Sequence, residues 1–205
     1  MRKAAWSLAG LMVLALLIPL TMVAQSGFDK VSPFGFRGEG SGIKVVVDTE
    51  TARYQGKSKY IPIVVFIGSQ GAQSITLNQA AFTLTDPSGK VYPMAPLEEV
   101  KDKKAYGDFN IANDYTFIKK TIEVGPDAQS YSGLSYQQGL VVFYPNIAGV
   151  PAMVRDTGDL RPNGFGMFLA YFANPGGKMN GTYKLTYTDP ATKGVVTVPF
   201  EIKWS

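Results

Sequence analysis

Apolar and polar residues alternate most regularly in the C-terminal part of the chain. Over residues 183–188 and again over residues 196–204, every second side chain is apolar and the residues between them are mostly polar. The composition of residues 189–194, which join the two segments, is typical of a turn. Because side chains alternate between the faces of a strand, this pattern predicts a hairpin with one buried and one solvent-facing side. Phe200 and Ile202 are predicted to lie on the buried side.

Similar strand patterns recur through the middle of the chain. Residues 60–94 begin with a run rich in β-branched and aromatic residues and later break at Asp86-Pro87-Ser88-Gly89, a sequence suited to a type I turn. Further strands are predicted at residues 43–48, 121–124, 139–144 and 165–172, the last apolar enough to be buried on both faces. Strands separated by tight turns predict an all-β fold, an antiparallel β-sandwich of about seven to nine strands.

One stretch departs from the strand pattern and predicts a short helix. Pro96 suits a first helical turn, Glu98 and Glu99 follow near its start, and Lys103 and Lys104 come near its end. Residues 110–120 fit either a helix or a strand, because their apolar spacing agrees with both periods. We therefore predict a helical insertion at about residues 96–120, outside the main sheets.

The first 26 residues show the features of an export signal in the expected order. Arg2 and Lys3 precede an uncharged apolar stretch, and small residues at Ala24 and Ser26 offer two cleavage positions. We predict that this signal peptide is removed. The stretch is also long enough to span a bilayer as an uncleaved membrane anchor. Either alternative predicts an exported protein, periplasmic, cell-surface or extracellular, whose only membrane contact is made through residues 1–26.

Residues 27–42 are rich in glycine, and they predict a linker or arm before a β-sandwich domain at residues 43–205. Three aromatic residues of this arm, Phe28, Phe34 and Phe36, are unusual in a plain tether. Either they fold back onto the sandwich, which we favour, or the arm adds a strand or an aromatic anchor to a neighbouring molecule. They are the candidate partner-binding residues.

The composition excludes several kinds of chemistry. The chain has neither cysteine nor histidine, which removes disulfides, thiolate nucleophiles, the Ser–His pair and metal sites built on these residues. The formal charge is +4, and setting aside Arg2 and Lys3 leaves 18 basic against 16 acidic residues. So small an excess does not predict binding to nucleic acid. The sequence contains no phosphate-binding loop or nucleophile elbow, and no cofactor is predicted.

Two acidic residues in a long predicted loop, Asp156 and Asp159, are candidate calcium ligands, because this ion prefers carboxylate and turn oxygens. The loop lacks the spacing and ligand number of a known calcium loop. An ordinary turn stabilised by Arg155 or Arg161 is therefore the interpretation that we favour.

Two aromatic features have both a functional and a structural interpretation. Residues 50–59 place Arg53, Lys57 and Lys59 around Tyr54, and they form either a ligand-facing loop or, as we favour, a solvated connection. The eleven tyrosines of the chain include several at apolar strand positions. They indicate either a sugar-binding platform or, by default, core packing.

Three segments carry a resemblance to a known group of proteins. They are Ala81-Phe82-Thr83-Leu84-Thr85-Asp86, Gly89-Lys90-Val91-Tyr92 and Gly139-Leu140-Val141-Val142-Phe143. Over roughly residues 43–143 the chain resembles the immunoglobulin-like domains of unknown function found in bacterial secreted proteins and lipoproteins. The resemblance implies an immunoglobulin-like antiparallel sandwich with a binding or assembly role, and it implies no functional residues. The chain lacks the cysteine to which a lipid would be attached.

These observations favour a non-enzymatic function. The principal hypothesis is an exported protein that binds an envelope or surface protein, or that associates with itself through the N-terminal arm. A carbohydrate-binding module is the alternative, and it requires exposed coplanar aromatic side chains. A carboxylate-dependent hydrolase is the third hypothesis, and it requires two converging carboxyl groups whose pKa values differ.

Overall fold

The computed structural model of the chain describes residues 29–69, 74–100, 157–162 and 164–205. The predicted export segment, the predicted strands at residues 121–124 and 139–144, and most of the predicted helical insertion lie outside these ranges. Within them, no helix combines the length and the apolar character that a membrane span requires.

The described residues form eleven strands, one short α-helix and two 3-10 helices. The helices are α1 (Leu97–Val100) and 3-10 turns at Ala52–Tyr54 and Gln79–Ala81. The strands are β1 (Asp29–Lys30), β2 (Gly35–Gly40), β3 (Ile43–Asp48), β4 (Tyr60–Ser69), β5 (Ile75–Asn78), β6 (Phe82–Thr85), β7 (Val91–Pro93), β8 (Thr157–Leu160), β9 (Phe165–Ala173), β10 (Thr182–Thr188) and β11 (Val195–Glu201).

Two antiparallel sheets make up the sandwich. The first has the order β1-β2-β3-β4-β9, and the second has the order β11-β10-β6-β7. Strands β5 and β8 form a separate pair. The predicted all-β antiparallel architecture is therefore confirmed. The two sheets contain nine described strands, within the estimate of about seven to nine. The short strands β1, β2 and β8 were not predicted individually, because they show no alternation of apolar and polar residues.

The C-terminal hairpin has the predicted faces. Strands β10 and β11 pair along their whole length, with Tyr183 opposite Phe200, and both strands alternate between exposed and buried positions. Phe200 and Ile202 are buried, as predicted. The turn between β6 and β7 is also as predicted, since the Gly89 amide donates to the Asp86 carbonyl at 2.9 Å.

The centre of the first sheet is buried on both faces. Every residue of β4 is buried, and so are residues 167–172 of β9, which confirms the prediction for that apolar run. Strand β9 also approaches the second sheet. The Ala95 amide, just after β7, donates to the Tyr171 carbonyl at 2.7 Å, and Met94 bridges to Phe172. The two sheets thus come together along this side.

The predicted linker is wrong over residues 35–40, which form strand β2 of the first sheet. Every residue of β2 pairs with β3, from Gly35 opposite Asp48 to Gly40 opposite Ile43. Phe36 is buried and packs against Phe200 of the opposite sheet, with ring centroids 6.2 Å apart. The physical reason is that β2 contributes backbone pairing and one large side chain, so its glycines leave no apolar periodicity in the sequence.

Glycines let β2 approach the edge of the second sheet. A Cβ placed on Gly38 would lie 2.7 Å from the Thr197 carbonyl oxygen, and one on Gly40 would lie 3.0 Å from that of Val195. The obstacle at Gly38 is backbone, which cannot turn aside as a side chain can. Close packing of β2 on β11 therefore depends on the absence of a side chain at position 38.

We expect Gly38→Ala to lower the free energy of unfolding by about 1–3 kcal/mol, the usual cost of overpacking. Urea denaturation of the two proteins measures the difference. Val195→Ala is the control, because Val195 is 51% exposed on β11 and its truncation adds no atom to the contact with β2. The control is expected to stay within about 0.5 kcal/mol of the parent chain. Equal effects at the two positions would contradict the close approach of β2 to β11.

Candidate functional site

Three loops meet at one end of the sandwich, and we call this region the loop end. They are residues 49–59 between β3 and β4, residues 174–181 between β9 and β10, and residues 202–205 after β11. Asn174 joins the first two. Its Nδ2 donates to the Ser58 carbonyl at 2.8 Å and lies 3.3 Å from that of Gly56, while its Oδ1 accepts from the Gly177 amide at 3.1 Å. These hydrogen bonds connect the loop 49–59 to the loop 174–181.

Arg53 contacts two aromatic rings at the surface of the loop end. Its guanidinium carbon is 4.6 Å from the ring centroid of Phe34 and 5.2 Å from that of Tyr54. Tyr54 is 55% exposed, whereas Phe34 and Arg53 are half-buried. Stacking on aromatic faces orients a guanidinium and leaves its N–H edge available to an acceptor.

Residues 204 and 205 connect the remaining loop to this arginine. The Ser205 amide donates to the Arg53 carbonyl at 3.0 Å, and Arg53 Nε donates to the Ser205 hydroxyl at 3.1 Å. Lys178 Nζ donates to the Ser205 carbonyl. The indole N–H of Trp204 donates to the Met179 carbonyl at 2.9 Å. These contacts bring Arg53 and Lys178 to the same residue although they lie far apart in sequence.

A buried carboxyl group lies at the base of the loop end. Asp48 ends β3 with 4% exposure, and one of its oxygens accepts from the Glu50 amide at 2.9 Å. Burial raises the pKa of Asp48 to about 6; the Glu50 amide opposes this rise and the nearby Glu50 charge adds to it. Close by in sequence, the buried hydroxyl of Thr51 has no hydrogen-bond partner in the part of the chain that the structure describes.

Asp86, at the turn between β6 and β7, is a buried carboxylate that, unlike Asp48, accepts several hydrogen bonds. It accepts from the Ser88 hydroxyl at 2.6 Å, from the Lys90 amide at 3.0 Å and from the Tyr92 hydroxyl at 2.9 Å. Burial would raise its pKa, but the hydrogen bonds outweigh this effect and the pKa is lowered. Asp86 is therefore a structural group, and Asp48 is the carboxyl whose environment favours its neutral form.

The structure separates the predicted partner-binding residues. Phe34 lies at the loop end against Arg53, whereas Phe36 belongs to the core and has no exposed surface to offer a partner. Phe28 lies outside the described residues. The arm therefore folds back onto the sandwich over residues 35–40, the interpretation favoured from the sequence.

Asp159 lies on a strand rather than in the predicted loop. It belongs to β8, opposite Thr76 of β5, and its Oδ1 accepts from the Thr76 hydroxyl at 2.9 Å. Asp156, the other calcium candidate, is not among the described residues. Those that are described include no group of three or more acidic side chains placed to hold a metal ion.

Sequence reasoning missed Asp48 and left Arg53 in a solvated connection. The signal for Asp48 was an acidic residue directly following three valines, which predicts a carboxyl at the buried end of a strand. No local signal identified the Phe34–Arg53–Ser205 contacts, because Arg53 and Ser205 are 152 residues apart.

Comparison with known proteins gives little further information. No family model matches the sequence, and no curated protein matches it. Among solved structures, the chain is similar to the yjhA protein from Bacillus subtilis, with a TM-score of 0.36 and 14% sequence identity. The likeness covers 76% of this chain and 82% of that one. At this TM-score it supports no argument about fold type or function.

Proposed function

We propose that this protein is an exported, non-enzymatic binding or assembly protein of the cell envelope or surface, and that it contacts its partner through the loop end. The observation that carries the proposal is the contact of the Arg53 guanidinium with the rings of Phe34 and Tyr54 at the surface of the loop end. Export itself rests on the order of features in residues 1–26.

The composition of the loop end supports a contact surface. Arginine and tyrosine are enriched among the residues that carry most of the energy of protein interfaces, and they do so best where they are held rigidly. Arg53 is held by two rings and by Ser205, and Asn174 donates to the Ser58 carbonyl later in the same loop. Little conformational entropy would be lost when a partner binds such a surface.

The two alternative functions have weaker support. A carbohydrate-binding module needs coplanar exposed rings, but of the two rings that contact Arg53 only Tyr54 is exposed, and Phe34 is half-buried. For a hydrolase, Asp48 has the raised pKa of a general acid. It is almost completely buried, however, and its neighbouring carboxylate, Glu50, follows it by two residues on the same loop.

We also propose that the sandwich is related to the immunoglobulin type but departs from it in its first strands. Two antiparallel sheets, with the chain crossing between them after β4, after β7 and after β9, support it. Strands β1 to β4 follow one another within one sheet, whereas in the immunoglobulin arrangement the third strand belongs to the opposite sheet. A variant of that arrangement, opened by a four-stranded meander, is the form that we propose.

Partner capture by the natively exported protein tests the proposed function. The full chain is crosslinked in its own cells, purified, and compared with Arg53→Ala and Tyr54→Ala variants. We expect both variants to lose the same partner, by roughly tenfold or more, because interface anchors of this kind cost about 2 kcal/mol or more when truncated.

Val195→Ala provides the control for this experiment. Val195 is 51% exposed on β11, away from the loop end, so its truncation removes exposed apolar surface without touching the proposed contact. Capture that is lost equally in the control, or that persists in both loop-end variants while all the proteins remain folded, would contradict the proposal.

A further inference from the structure

We infer that Asn180 and Gly181 form a site of spontaneous covalent modification, where the Asn180 side chain is converted to aspartate or isoaspartate and the attachment of the C-terminal segment is weakened. The pair lies in the loop 174–181, just before β10 begins at Thr182. The inference does not depend on the proposed function, because it concerns a reaction of the chain with itself and with water.

The reaction needs only this pair of residues and water. The backbone nitrogen of Gly181, having lost its proton to solvent, forms a bond to Cγ of Asn180, and the bond from Cγ to Nδ2 breaks. The departing nitrogen takes up a proton and leaves as ammonia, so a cyclic succinimide remains. Water then opens the ring at either of its carbonyl carbons, which gives aspartate or isoaspartate. Ring closure is favoured because both groups belong to one short stretch of chain.

The structure leaves both reacting groups accessible. Asn180 and Gly181 are exposed and lie outside the strands and helices. The Gly181 amide donates no hydrogen bond to any residue that the structure describes. Gly181 has φ of +123°, and a Cβ there would lie 2.9 Å from the Pro87 side chain. The fold therefore requires glycine at this position, and glycine is the residue that hinders ring closure least.

A second Asn-Gly pair, Asn163-Gly164, provides an internal comparison. Its attacking nitrogen is engaged, because the Gly164 amide donates to the Arg161 carbonyl at 2.8 Å. A hydrogen bond from this N–H stabilises the protonated amide, and it has to be broken before the nitrogen can attack. The structure thus assigns a faster conversion to Asn180, a difference that the two identical dipeptides do not reveal.

Conversion changes the chain next to a carbonyl that two side chains share. The Met179 carbonyl accepts from the Trp204 indole N–H at 2.9 Å and from the Tyr183 hydroxyl at 3.1 Å. Isoaspartate carries the backbone through its side chain, which adds a carbon between Met179 and Tyr183, so the carbonyl no longer suits both donors. Ser205, whose contacts join the C-terminal segment to the rest of the loop end, directly follows Trp204.

Ageing of the purified full chain at neutral and mildly alkaline pH tests the site. Mass spectrometry of the tryptic peptides that span residues 179–184 and 156–178 follows the two asparagines. We expect Asn180 to be converted at least about fivefold faster than Asn163, the effect of one hydrogen bond on an equilibrium. Both rates should rise with pH, because the deprotonated nitrogen attacks. An unchanged Asn180, or equal rates at the two pairs, would overturn the inference.

The same experiment in guanidinium chloride separates the effect of structure from that of sequence. In the unfolded chain neither glycine amide is held, so the two rates are expected to converge. A rate ratio that persisted after unfolding would show that the neighbouring residues, and not the fold, favour Asn180, and it would overturn the inference.

Hydrogen exchange of the Trp204 indole N–H tests the structural consequence, with the signal assigned by its loss in Trp204→Phe. We expect faster exchange in the aged parent chain than in the fresh one. Asn180→Gln is the control, because glutamine keeps an amide at this position but has one more methylene and closes the corresponding ring far more slowly. Its exchange should not change with ageing. Equal exchange before and after conversion of the parent chain would overturn the inferred weakening of the C-terminal segment.

Discussion

Replacing Phe200 by alanine is expected to lower the free energy of unfolding by about 3–5 kcal/mol, the range for truncation of a buried phenylalanine. Phe200 has no exposed surface, and its ring stacks on that of Tyr183 of β10 with centroids 5.8 Å apart. It also contacts Phe36 across the sandwich. Truncation would therefore remove contacts both within the second sheet and between the sheets. Equilibrium denaturation in urea measures the loss.

Two other variants test the position of Phe200 in the core. Val195→Ala, on the opposite face of the same strand, is expected to cost less than about 0.5 kcal/mol, as exposed substitutions usually do. Phe36→Ala is expected to be destabilising and non-additive with Phe200→Ala, because the two rings share one contact. A loss below about 1 kcal/mol for Phe200→Ala would show that this face of β11 is not buried as described.

The parts of the fold that the sequence predicted are those in which apolar residues mark the strands. Strands β3 and β9 were predicted from apolar runs that are buried on both faces, and the β10–β11 hairpin from an alternation in which one side is packed and the other is not. The Asp86–Gly89 turn was equally predictable, since its residues determine the backbone conformation locally. In these segments, local preference and tertiary packing agree.

Strands β2 and β8 could not be predicted, because their sequences contain no apolar pattern that marks a strand. Strand β2 is held by backbone pairing to β3, and its glycines allow the backbone of β11 to approach closely. Neither feature produces a hydrophobic pattern in the sequence. Strand β8, with the sequence TGDL, pairs with β5 and buries only Leu160. Its stability comes from residues distant in sequence, so composition alone suggested a loop.

From the sequence, residues of the loop end could be identified only one by one, without their contacts. The sequence singled out Phe34 for its aromatic character and Arg53 for its charge, but it gave no reason to place them together. Their contact depends on the pairing of β2 with β3, which sets Phe34 beside the loop that follows β3.

Asp48→Asn is expected to raise the free energy of unfolding at neutral pH by about 1–3 kcal/mol, as a pKa shift of this size implies. Burial raises the pKa of Asp48 from 3.8 to about 6, so the folded chain keeps a proton that the unfolded chain releases. The stability of the parent chain should therefore fall as the pH rises from about 4 to about 6, and stay at the lower value above it. Asparagine has no such titration and can still accept from the Glu50 amide.

Asp86→Asn provides a control for this last prediction, because it is expected to change the free energy of unfolding in the opposite direction. Hydrogen bonds lower the pKa of Asp86, so its ionised form stabilises the fold at neutral pH, and that contribution is lost as the pH falls through its folded-state pKa. Asparagine there should therefore be destabilising at neutral pH, and less so in acid. Urea denaturation at pH values from about 2 to 7 follows both variants, because the effect of Asp86 changes only below its ordinary pKa of 3.8. If Asp48→Asn destabilised the protein at pH 7, the Asp48 carboxylate would be paired in the folded state, and a donor would have to reach it beneath the loop end.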